Sequence, residues 1–356
     1  MIKHDASPMA LPMADSDLHA VDLGRGLHLP IPDEATVAFA QWNADVADSF
    51  APNTHRALHS ALRGYALWCQ QGQLAAPLPA TLDMILAYCE HLVAAGRKRS
   101  TLEAHVWALN LIHEALELTN PFATKRWKRR WPGILRNPRL DARKESKKGL
   151  TFDLLVQAVA AIEDDLRGLR DAALLRVAYD TLCRRSELVA MRWEDIERHE
   201  DGTGLVHVLR SKTDQEGVGM MRFLRPDTMK ALDHWGQALV LAGAQLADAG
   251  GALFRPVPRA IEQSASARPL STRQIPEIIK QRLGALGSHI DPADYAAHST
   301  RIGACEDLMA SGADLGLVML AGGWSTSTQP VKYARKLDVR RGAMAALASA
   351  QARIGS

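Results

Sequence analysis

The segment that decides the fold runs from residue 298 to residue 333 and reads HSTRIGACEDLMASGADLGLVMLAGGWSTSTQPVKY. Apolar residues recur at helical spacing over Thr300–Ser311 and again over Leu315–Leu320, which predicts two short helices. The glycine pair Gly322-Gly323 predicts a loop behind the second helix. These elements favour a mainly α-helical arrangement for this end of the chain.

Two segments upstream carry polar residues of the same kind. Thr181–Leu188 reads TLCRRSEL and lies where one predicted helix ends and the next begins. Arg210-Ser-Lys-Thr213 is a polar turn between two β-rich runs, Leu205–Leu209 and Gly219–Leu224. Two short β-rich runs around a polar turn predict a β-hairpin.

Taken singly, each polar residue in these segments has an ordinary structural explanation. Arg184 could pair with Glu187 one helical turn away, and Lys212 could be a plain hairpin-turn lysine. His298 and Arg301 could cap a helix. In the same way Trp324 could belong to a core and Tyr333 to a half-buried surface, so only the ordered set is informative.

The N-terminal part of the chain predicts an arm followed by a helical domain. Residues 1–32 mix Pro, Asp, Gly and Met without a sustained period, and a flexible arm is expected there. Residues 33–122 show helical periods joined by short loops, which favours a compact helical domain. In its last helix, Ser100 and Glu103 have the spacing of an N-terminal capping box.

A basic stretch follows at residues 123–148, and Pro132, Gly133 and Pro138 are expected to interrupt helix within it. Trp127 and Trp131 lie among its cations. The cations at its start are Lys125, Arg126, Lys128, Arg129 and Arg130. The stretch is either a linker that lies on nucleic-acid backbone or a solvated linker between domains.

Residues 149–356 predict a second, mainly helical domain with a small sheet. Its expected helices are Thr151–Glu163, Arg167–Asp180, Ser186–Arg192, Asp227–Ala247, Thr272–Leu283 and the two quoted first. A final Ala-rich helix is expected over Gly342–Ala352. It could pack on its own domain or in the groove of a partner.

Bulk properties are compatible with a folded two-domain protein and favour no particular partner. The chain has 356 residues, 47% hydrophobic and 23% charged, with a formal net charge of +3. None of its four cysteines forms a CxxC pair, so reduced thiols in an intracellular compartment are expected. No apolar run reaches the ~20 residues that span a bilayer, and no secretory signal pattern begins the chain.

The ordered set R…K…HxxR…W…Y resembles the catalytic constellation of the tyrosine recombinases, also called phage integrases. Its members here are Arg184, Lys212, His298, Arg301, Trp324 and Tyr333. The resemblance extends from about residue 32 to the C-terminus and is weakest around the basic stretch. It implies a mainly α two-domain DNA clamp, in which a SAM-like helical core-binding domain precedes a mostly α catalytic domain with a small antiparallel β-sheet.

The resemblance also implies a role for each member of the set. Tyr333 would be the nucleophile that forms a 3′-phosphotyrosyl intermediate, and Arg184 and Arg301 would bind the nonbridging phosphate oxygens. Lys212 would protonate the leaving 5′ oxygen. His298 would hydrogen-bond the phosphate or help to accept the phenol proton.

Two further positions complete the implied site, and one departs from the family pattern. Trp324 stands where many members have a second histidine; its indole N–H can donate to phosphate but cannot act as a base. Glu187 would orient the site from behind the residues that touch DNA. Arg185 occupies a position that is usually apolar in the family, which puts the local packing in doubt.

Several candidates for DNA contact follow from the same resemblance. Arg56 and His105 fall on the helices that lie in the major groove in the family, and Arg273 matches an arginine that contacts guanine. The cations of the basic stretch would neutralise phosphates without reading sequence. For each, the alternative is a plain phosphate contact or a solvated side chain.

The expected partner is double-stranded DNA with an inverted-repeat target, bound by one homodimer per site and one homotetramer in the synapse. No metal, ATP or other cofactor is expected, and neither is a membrane. The expected location is the cytoplasm of a prokaryotic cell. Two alternatives stay open: an enzyme of the type IB topoisomerase kind, and an architectural or regulatory DNA-binding protein with an inactive site.

Overall fold

The structure is a computed structural model that describes residues 13–14, 17–46, 49–74, 76–140, 147–209, 219–247, 251–257, 268–341 and 351. The chain divides into two compact units, Met1–Glu145 and Ser146–Ser356. Within the described residues, no helix is both long and apolar enough to cross a membrane.

The first unit is built on helices whose apolar faces meet in one core. Their bounds are α1 Thr36–Val46, α2 Pro52–Gln71, α3 Leu82–Ala94, α4 Arg99–Ala115 and α5 Lys125–Leu135. Leu58, Leu62 and Tyr65 recur at helical spacing on α2 and are buried against the equivalent face of α4, which carries Leu102 and Leu109.

The N-terminal stretch that was expected to be a flexible arm contains ordered strands. Strands β1 Met13–Ala14, β2 Asp17–Asp22 and β3 His28–Pro30 form an antiparallel sheet in sequence order. Val21, Leu23 and Leu29 are fully buried in the core of the first unit. These alternating apolar side chains explain why residues 20–31 pack on the helices instead of remaining free.

The basic stretch also differs from its prediction, because α5 runs through Pro132 to Leu135. The Thr124 hydroxyl caps the helix by accepting from the Trp127 amide at 3.2 Å. Trp127 is buried, and its ring meets Phe122 edge-on at 4.9 Å between centroids and stacks with Trp131 at 5.0 Å. This aromatic anchoring holds the helix together across a proline that lacks an amide donor.

The second unit contains the remaining helices and a three-stranded antiparallel sheet. The helices are α6 Phe152–Ala160, α7 Leu166–Thr181, α8 Arg185–Ala190, α9 Pro226–Leu241, α10 Gln274–Gly284, α11 Ser299–Ala310, α12 Leu315–Gly322 and α13 Thr328–Arg341. The strands are β4 Ile196–Arg198, β5 Gly204–Val208 and β6 Met220–Leu224, in that order. The predicted hairpin is confirmed, because Val208 pairs with Met220 and Gly204 with Leu224.

Helix α7 lies at the centre of the second unit, and its position determines where the polar segments meet. Its side chains Leu174, Leu175 and Ala178 are buried. It packs against α9, α11 and α6, and against strand β6. The C-terminal end of α7 leads directly into the Thr181–Leu188 segment, next to the helix that carries Arg301. The expected helix over Gly342–Ala352 lies outside the described residues except for position 351.

Candidate active site

The junction between α7 and α8 holds Arg184 in a fixed position. Leu182 ends α7 in the left-handed region at φ 51° and ψ 24°, and Arg184 then occupies the N-cap position of α8. The buried Glu187 carboxylate accepts from the Arg184 backbone amide at 2.8 Å and from its guanidinium Nη1 at 2.9 Å. One carboxylate therefore both caps the helix and orients the arginine.

His298 and Arg301 enter the site from the start of α11. His298 is the N-cap residue, but its side chain makes no capping hydrogen bond, so the simple capping explanation does not hold for it. Arg301 is buried one turn later, and its Nη1 donates to the Leu182 carbonyl at the end of α7. Its Nη2 is buried without a hydrogen-bond partner among the residues that the structure describes.

Trp324 reaches the site because two glycines precede it. Gly323 ends α12 in the left-handed region at φ 62°, where a side chain is strained. A Cβ at Gly322 would lie 2.0 Å from Cζ3 of the Trp324 ring, so only glycine allows this close approach. The indole then lies against Arg301, whose Cζ is 4.1 Å from the ring centroid.

Tyr333 on α13 completes the group. Its ring and that of Trp324 are 6.2 Å apart between centroids in an edge-on arrangement. The residue is half-buried, and α13 packs against α11 and α12. Burial raises the pKa of the Tyr333 phenol, while the charges of Arg301 and Arg184 act in the opposite direction.

Positive charge dominates the electrostatics of the site. Burial and the neighbouring charge of Arg184 lower the pKa of Arg301 to about 10. His298 keeps an exposed surface, yet partial burial and the charges of Arg301, Arg184 and Arg185 lower its pKa. The imidazole is therefore neutral near pH 7, and the guanidinium groups are arranged to receive an anion.

Comparisons with known proteins show the family of this chain. The model of the phage integrase family matches residues 148–340. The chain belongs to the phage integrase family. It is 28% identical over 312 residues to recombinase Cre of Escherichia phage P1, covering 84% of this chain and 88% of that one. The expected family and the enzyme class, a tyrosine-type site-specific recombinase, are thereby confirmed.

Solved structures confirm the expected fold class. The integrase of transposon Tn1549, in complex with transposon right-end DNA, aligns with a TM-score of 0.59 at 15% identity, covering 85% of this chain and 98% of that one. A lambda integrase tetramer bound to a Holliday junction aligns with a TM-score of 0.54 at 18% identity, covering 83% and 76%. At these identities the likeness establishes the fold alone.

Most of the recombinase's predicted catalytic residues come together, and one falls outside the described residues. Arg184, Glu187, His298, Arg301, Trp324 and Tyr333 form the group just described. Lys212 lies within the undescribed residues 210–218 of the hairpin, so its place in the site stays a prediction. The side chains show no metal-binding cluster of His, Cys, Asp or Glu within the described part of the chain.

The candidates for DNA contact occupy separate surfaces. Arg273 is exposed at the N-cap position of α10 in the second unit. Arg56 is exposed on α2, and all five cations of α5 are exposed on the first unit. Two of these cations, Arg126 and Arg130, form exposed ion pairs with Asp83 and Glu90 of α3. Their contact with DNA stays a prediction.

His105 has a structural partner that sequence patterns did not suggest. Its Nδ1 lies 2.8 Å from the Tyr88 hydroxyl, and its ring lies close to Gly64 of α2, where a Cβ would be 2.7 Å away. Burial and the charge of Arg97 lower its pKa. The imidazole thus helps to pack α2, α3 and α4 together, and its contact with DNA stays a prediction.

Arg222 of β6 lies beside the site and was not among the residues predicted from the sequence. It is only 6% exposed, and it donates to backbone carbonyls at the end of α12. The signal was present in the strand pattern, since Arg222 and Leu224 alternate onto the inward face while Met221 and Phe223 face outward. A charged residue at an inward position of a strand indicates a buried polar contact.

Proposed function

We propose that the recombinase cuts and rejoins DNA through a covalent bond to Tyr333. The phenol oxygen attacks the scissile phosphorus, a bond forms between tyrosine and the 3′ phosphate, and the bond to the 5′ oxygen breaks. The phenol proton leaves toward His298 or solvent, and the departing 5′ oxygen takes a proton from Lys212. A 5′ hydroxyl of the second DNA then attacks the phosphotyrosine and releases Tyr333.

One observation carries this proposal: groups spread from residue 184 to residue 333 come together in one positively charged cluster of side chains. Arg301 contacts Trp324, Trp324 contacts Tyr333, and Arg184 is held beside Arg301 by Glu187. Within the described part of the chain, the buried Nη2 of Arg301 is a donor that lacks an acceptor. A phosphate oxygen supplies such an acceptor, and two guanidinium groups bind phosphate in forked geometry.

The proposed chemistry needs neither ATP nor a bound metal. The phosphotyrosine ester conserves the free energy of the broken phosphodiester, so rejoining requires no external energy. The guanidinium groups supply positive charge where charge develops on the nonbridging oxygens, and the Trp324 N–H is a further donor. Burial raises the Tyr333 pKa, so the phenol enters the reaction protonated and must lose its proton during attack.

We further propose that strand exchange occurs in a homotetramer, with one homodimer on each inverted-repeat site. The lambda integrase of the structural comparison is a tetramer on a Holliday junction. In this chain, Leu317 and Leu320 of α12 are 63% and 65% exposed, which is unusual for two leucines on one short helix. A second copy that covers them fits a closed ring of head-to-tail contacts.

The test begins with selection of bound duplexes from a random DNA pool. An inverted repeat with a short central spacer is expected among the selected sequences. Wild-type protein incubated with this duplex should give a protein–DNA adduct that survives denaturing electrophoresis. Tyr333→Phe should bind the same duplex equally well and form no adduct, because only the phenol oxygen is removed. Equal adduct formation by both proteins contradicts the assignment of Tyr333.

Two other outcomes distinguish the alternatives. Relaxation of any supercoiled plasmid, with no requirement for the selected site, indicates a topoisomerase. The second outcome is tight binding of the selected duplex without an adduct, with both DNA ends intact and the protein folded. This outcome indicates a DNA-binding protein with an inactive site. Exchange of strands between two selected duplexes supports the proposal.

A further inference from the structure

Arg222 is a buried arginine that the proposed chemistry does not use. It lies on β6 with 6% of its surface exposed, and burial lowers its pKa while Cys183 and Glu187 act in the opposite direction. The charge of Arg184 lowers the pKa as well, so Arg222 lies within electrostatic reach of the Arg184–Glu187 pair. A buried cation near the charge of Arg184 is costly and requires compensating contacts.

Those contacts are made with the C-terminal end of α12. Arg222 Nη1 donates to the carbonyl of Leu320 at 2.7 Å and to that of Ala321 at 2.5 Å. The carbonyls at the end of a helix lack their usual amide partners four residues on and carry partial negative charge, so a cation is favoured there. On its other side, Nη2 lies against Gly323, where a Cβ would be only 2.5 Å away.

The segment that Arg222 holds leads straight into the site. Trp324 follows Gly323, and its amide donates to the Met319 carbonyl at 3.0 Å. Its indole then contacts the Arg301 guanidinium at 4.1 Å and the Tyr333 ring at 6.2 Å. A shift at the end of α12 would therefore move the indole relative to both residues.

We propose that Arg222 is a positioning residue, which anchors the end of α12 to β6 and thereby sets the place of the Trp324 indole against Arg301 and Tyr333. This inference rests on the proposed strand-cleavage chemistry for its catalytic consequence. Its structural content, the dependence of the Trp324 environment on Arg222, is independent of that chemistry.

The first experiment reads the Trp324 environment without DNA. The indole ¹H–¹⁵N resonance of Trp324 is assigned as the one missing in Trp324→Phe. We expect it to move in Arg222→Met, which keeps an unbranched chain but removes every donor, and to return part of the way in Arg222→Lys, which can reach one carbonyl. An unmoved resonance in a folded Arg222→Met protein overturns the proposal, whatever the activity.

Arg255→Met is the matched control. Arg255 is also buried, at 1% exposure, and it also donates to backbone carbonyls, those of Ala252 at 3.3 Å and Leu246 at 2.6 Å. Its replacement should lower thermal stability as much as the replacement of Arg222. It should leave the Trp324 resonance and the cleavage rate of the folded protein unchanged, which separates positioning from a general decrease in stability.

The second experiment measures single-turnover adduct formation on the duplex selected above. Arg222→Met should lower the rate by about 10- to 100-fold with unchanged DNA affinity, because small misplacements of catalytic groups cost this much. In the double variant with Trp324→Phe, the fold-decrease in rate should be at least about fivefold smaller than the product of the two single fold-decreases. Both substitutions act through the same indole, so their effects overlap.

If the fold-decrease of the double variant equals the product of the two single fold-decreases to within about a factor of two, the two residues act independently. That result overturns the proposal. If the Trp324 resonance moves as expected while wild-type protein forms no adduct on the selected duplex, the proposed cleavage chemistry fails and the anchoring of Trp324 by Arg222 still holds. The two failures are thus distinguishable.

Discussion

Glu187 holds Arg184 in position, and its charge raises the pKa of His298 against the larger lowering effects of burial and three arginines. Replacing it in Glu187→Gln leaves an amide oxygen that still accepts one hydrogen bond but removes the charge that holds the guanidinium at 2.9 Å. We expect adduct formation to fall by about tenfold, in line with the removal of a charged hydrogen bond near a reacting phosphate. Since Glu187 raises the pKa of His298, the imidazole should titrate at lower pH in the variant.

The measurement is a single-turnover assay together with an NMR titration of His298. Asp195→Asn provides the control, because Asp195 accepts from the Arg192 amide at 2.8 Å in the same capping arrangement away from the site. The control should change neither the rate nor the titration. A His298 titration curve in Glu187→Gln that overlays the wild-type curve contradicts the electrostatic link.

Gly322 provides a steric prediction at the same scale. The Cβ of Gly322→Ala would lie 2.0 Å from Trp324 Cζ3, so the indole must move away from Arg301. We expect the rate of adduct formation to fall by about 100-fold, while DNA affinity measured by gel shift stays at the wild-type value. A variant that cleaves at the wild-type rate shows that the indole position is unimportant for the chemistry.

At the residue scale, the sequence predicted the members of the site but not what holds them. Arg184, His298, Arg301, Trp324 and Tyr333 were selected as an ordered set, and the structure brings them together. Their individual roles stay predictions. The donation from Arg301 to the carbonyl at the end of α7 and the anchoring by Arg222 depend on tertiary contacts, which carry no spacing signal in the sequence.

At the scale of elements, α4 carries a buried histidine that makes the first unit sensitive to acid. His113 Nε2 accepts from the Ala80 amide at 3.0 Å, so the proton resides on Nδ1, which donates to the Leu109 carbonyl at 2.6 Å. Burial lowers the pKa of His113 in the folded state. The unfolded chain binds a proton near the usual value of about 6.5, so the free energy of unfolding should decrease as pH falls below that value.

His113→Gln tests this prediction, since its amide can accept from Ala80 and does not titrate. Chemical denaturation of the first unit between pH 8 and pH 5 should show a smaller decrease in unfolding free energy for the variant than for wild type. All other residues are the same in both proteins, so the difference isolates position 113. Parallel curves for the two proteins contradict the assignment of a neutral buried imidazole.

Sequence patterns predicted element types better than element ends. The capping box expected at Ser100 and Glu103 is absent, because α4 begins earlier, with Lys98 at its N-cap, and Glu103 instead pairs with Arg99 at 3.0 Å. The N-terminal strands were missed because β1 and β3 are only two and three residues long, too short to show an alternating pattern. Their burial depends on the surface that α2 offers, including Arg63, which donates to the Leu23 carbonyl at 2.8 Å.

At the scale of the whole molecule, the boundary between the two compact units falls between residues 145 and 146. This boundary lies inside the segment 123–148 that was expected to be a linker. Composition alone could not show where in this segment the first unit ends and the second begins. Its first half is a helix whose Trp127 belongs to the core of the first unit, and that attachment depends on packing with Phe122. Charge runs indicate solvent exposure but not which folded unit a segment joins.

The exposed cations of α5 permit a test of how the molecule holds DNA. If they neutralise phosphates, the combined substitution Lys128→Gln and Arg129→Gln should reduce the slope of log affinity against log salt by about 0.9 for each phosphate that is no longer neutralised. Lys230→Gln, which removes one exposed charge from α9, is the control and should leave the slope unchanged. The decrease in affinity should be equal for selected and random duplexes, because binding to phosphates carries no sequence information. An unchanged slope in the double variant identifies α5 as a solvated basic helix, the alternative that the sequence left open.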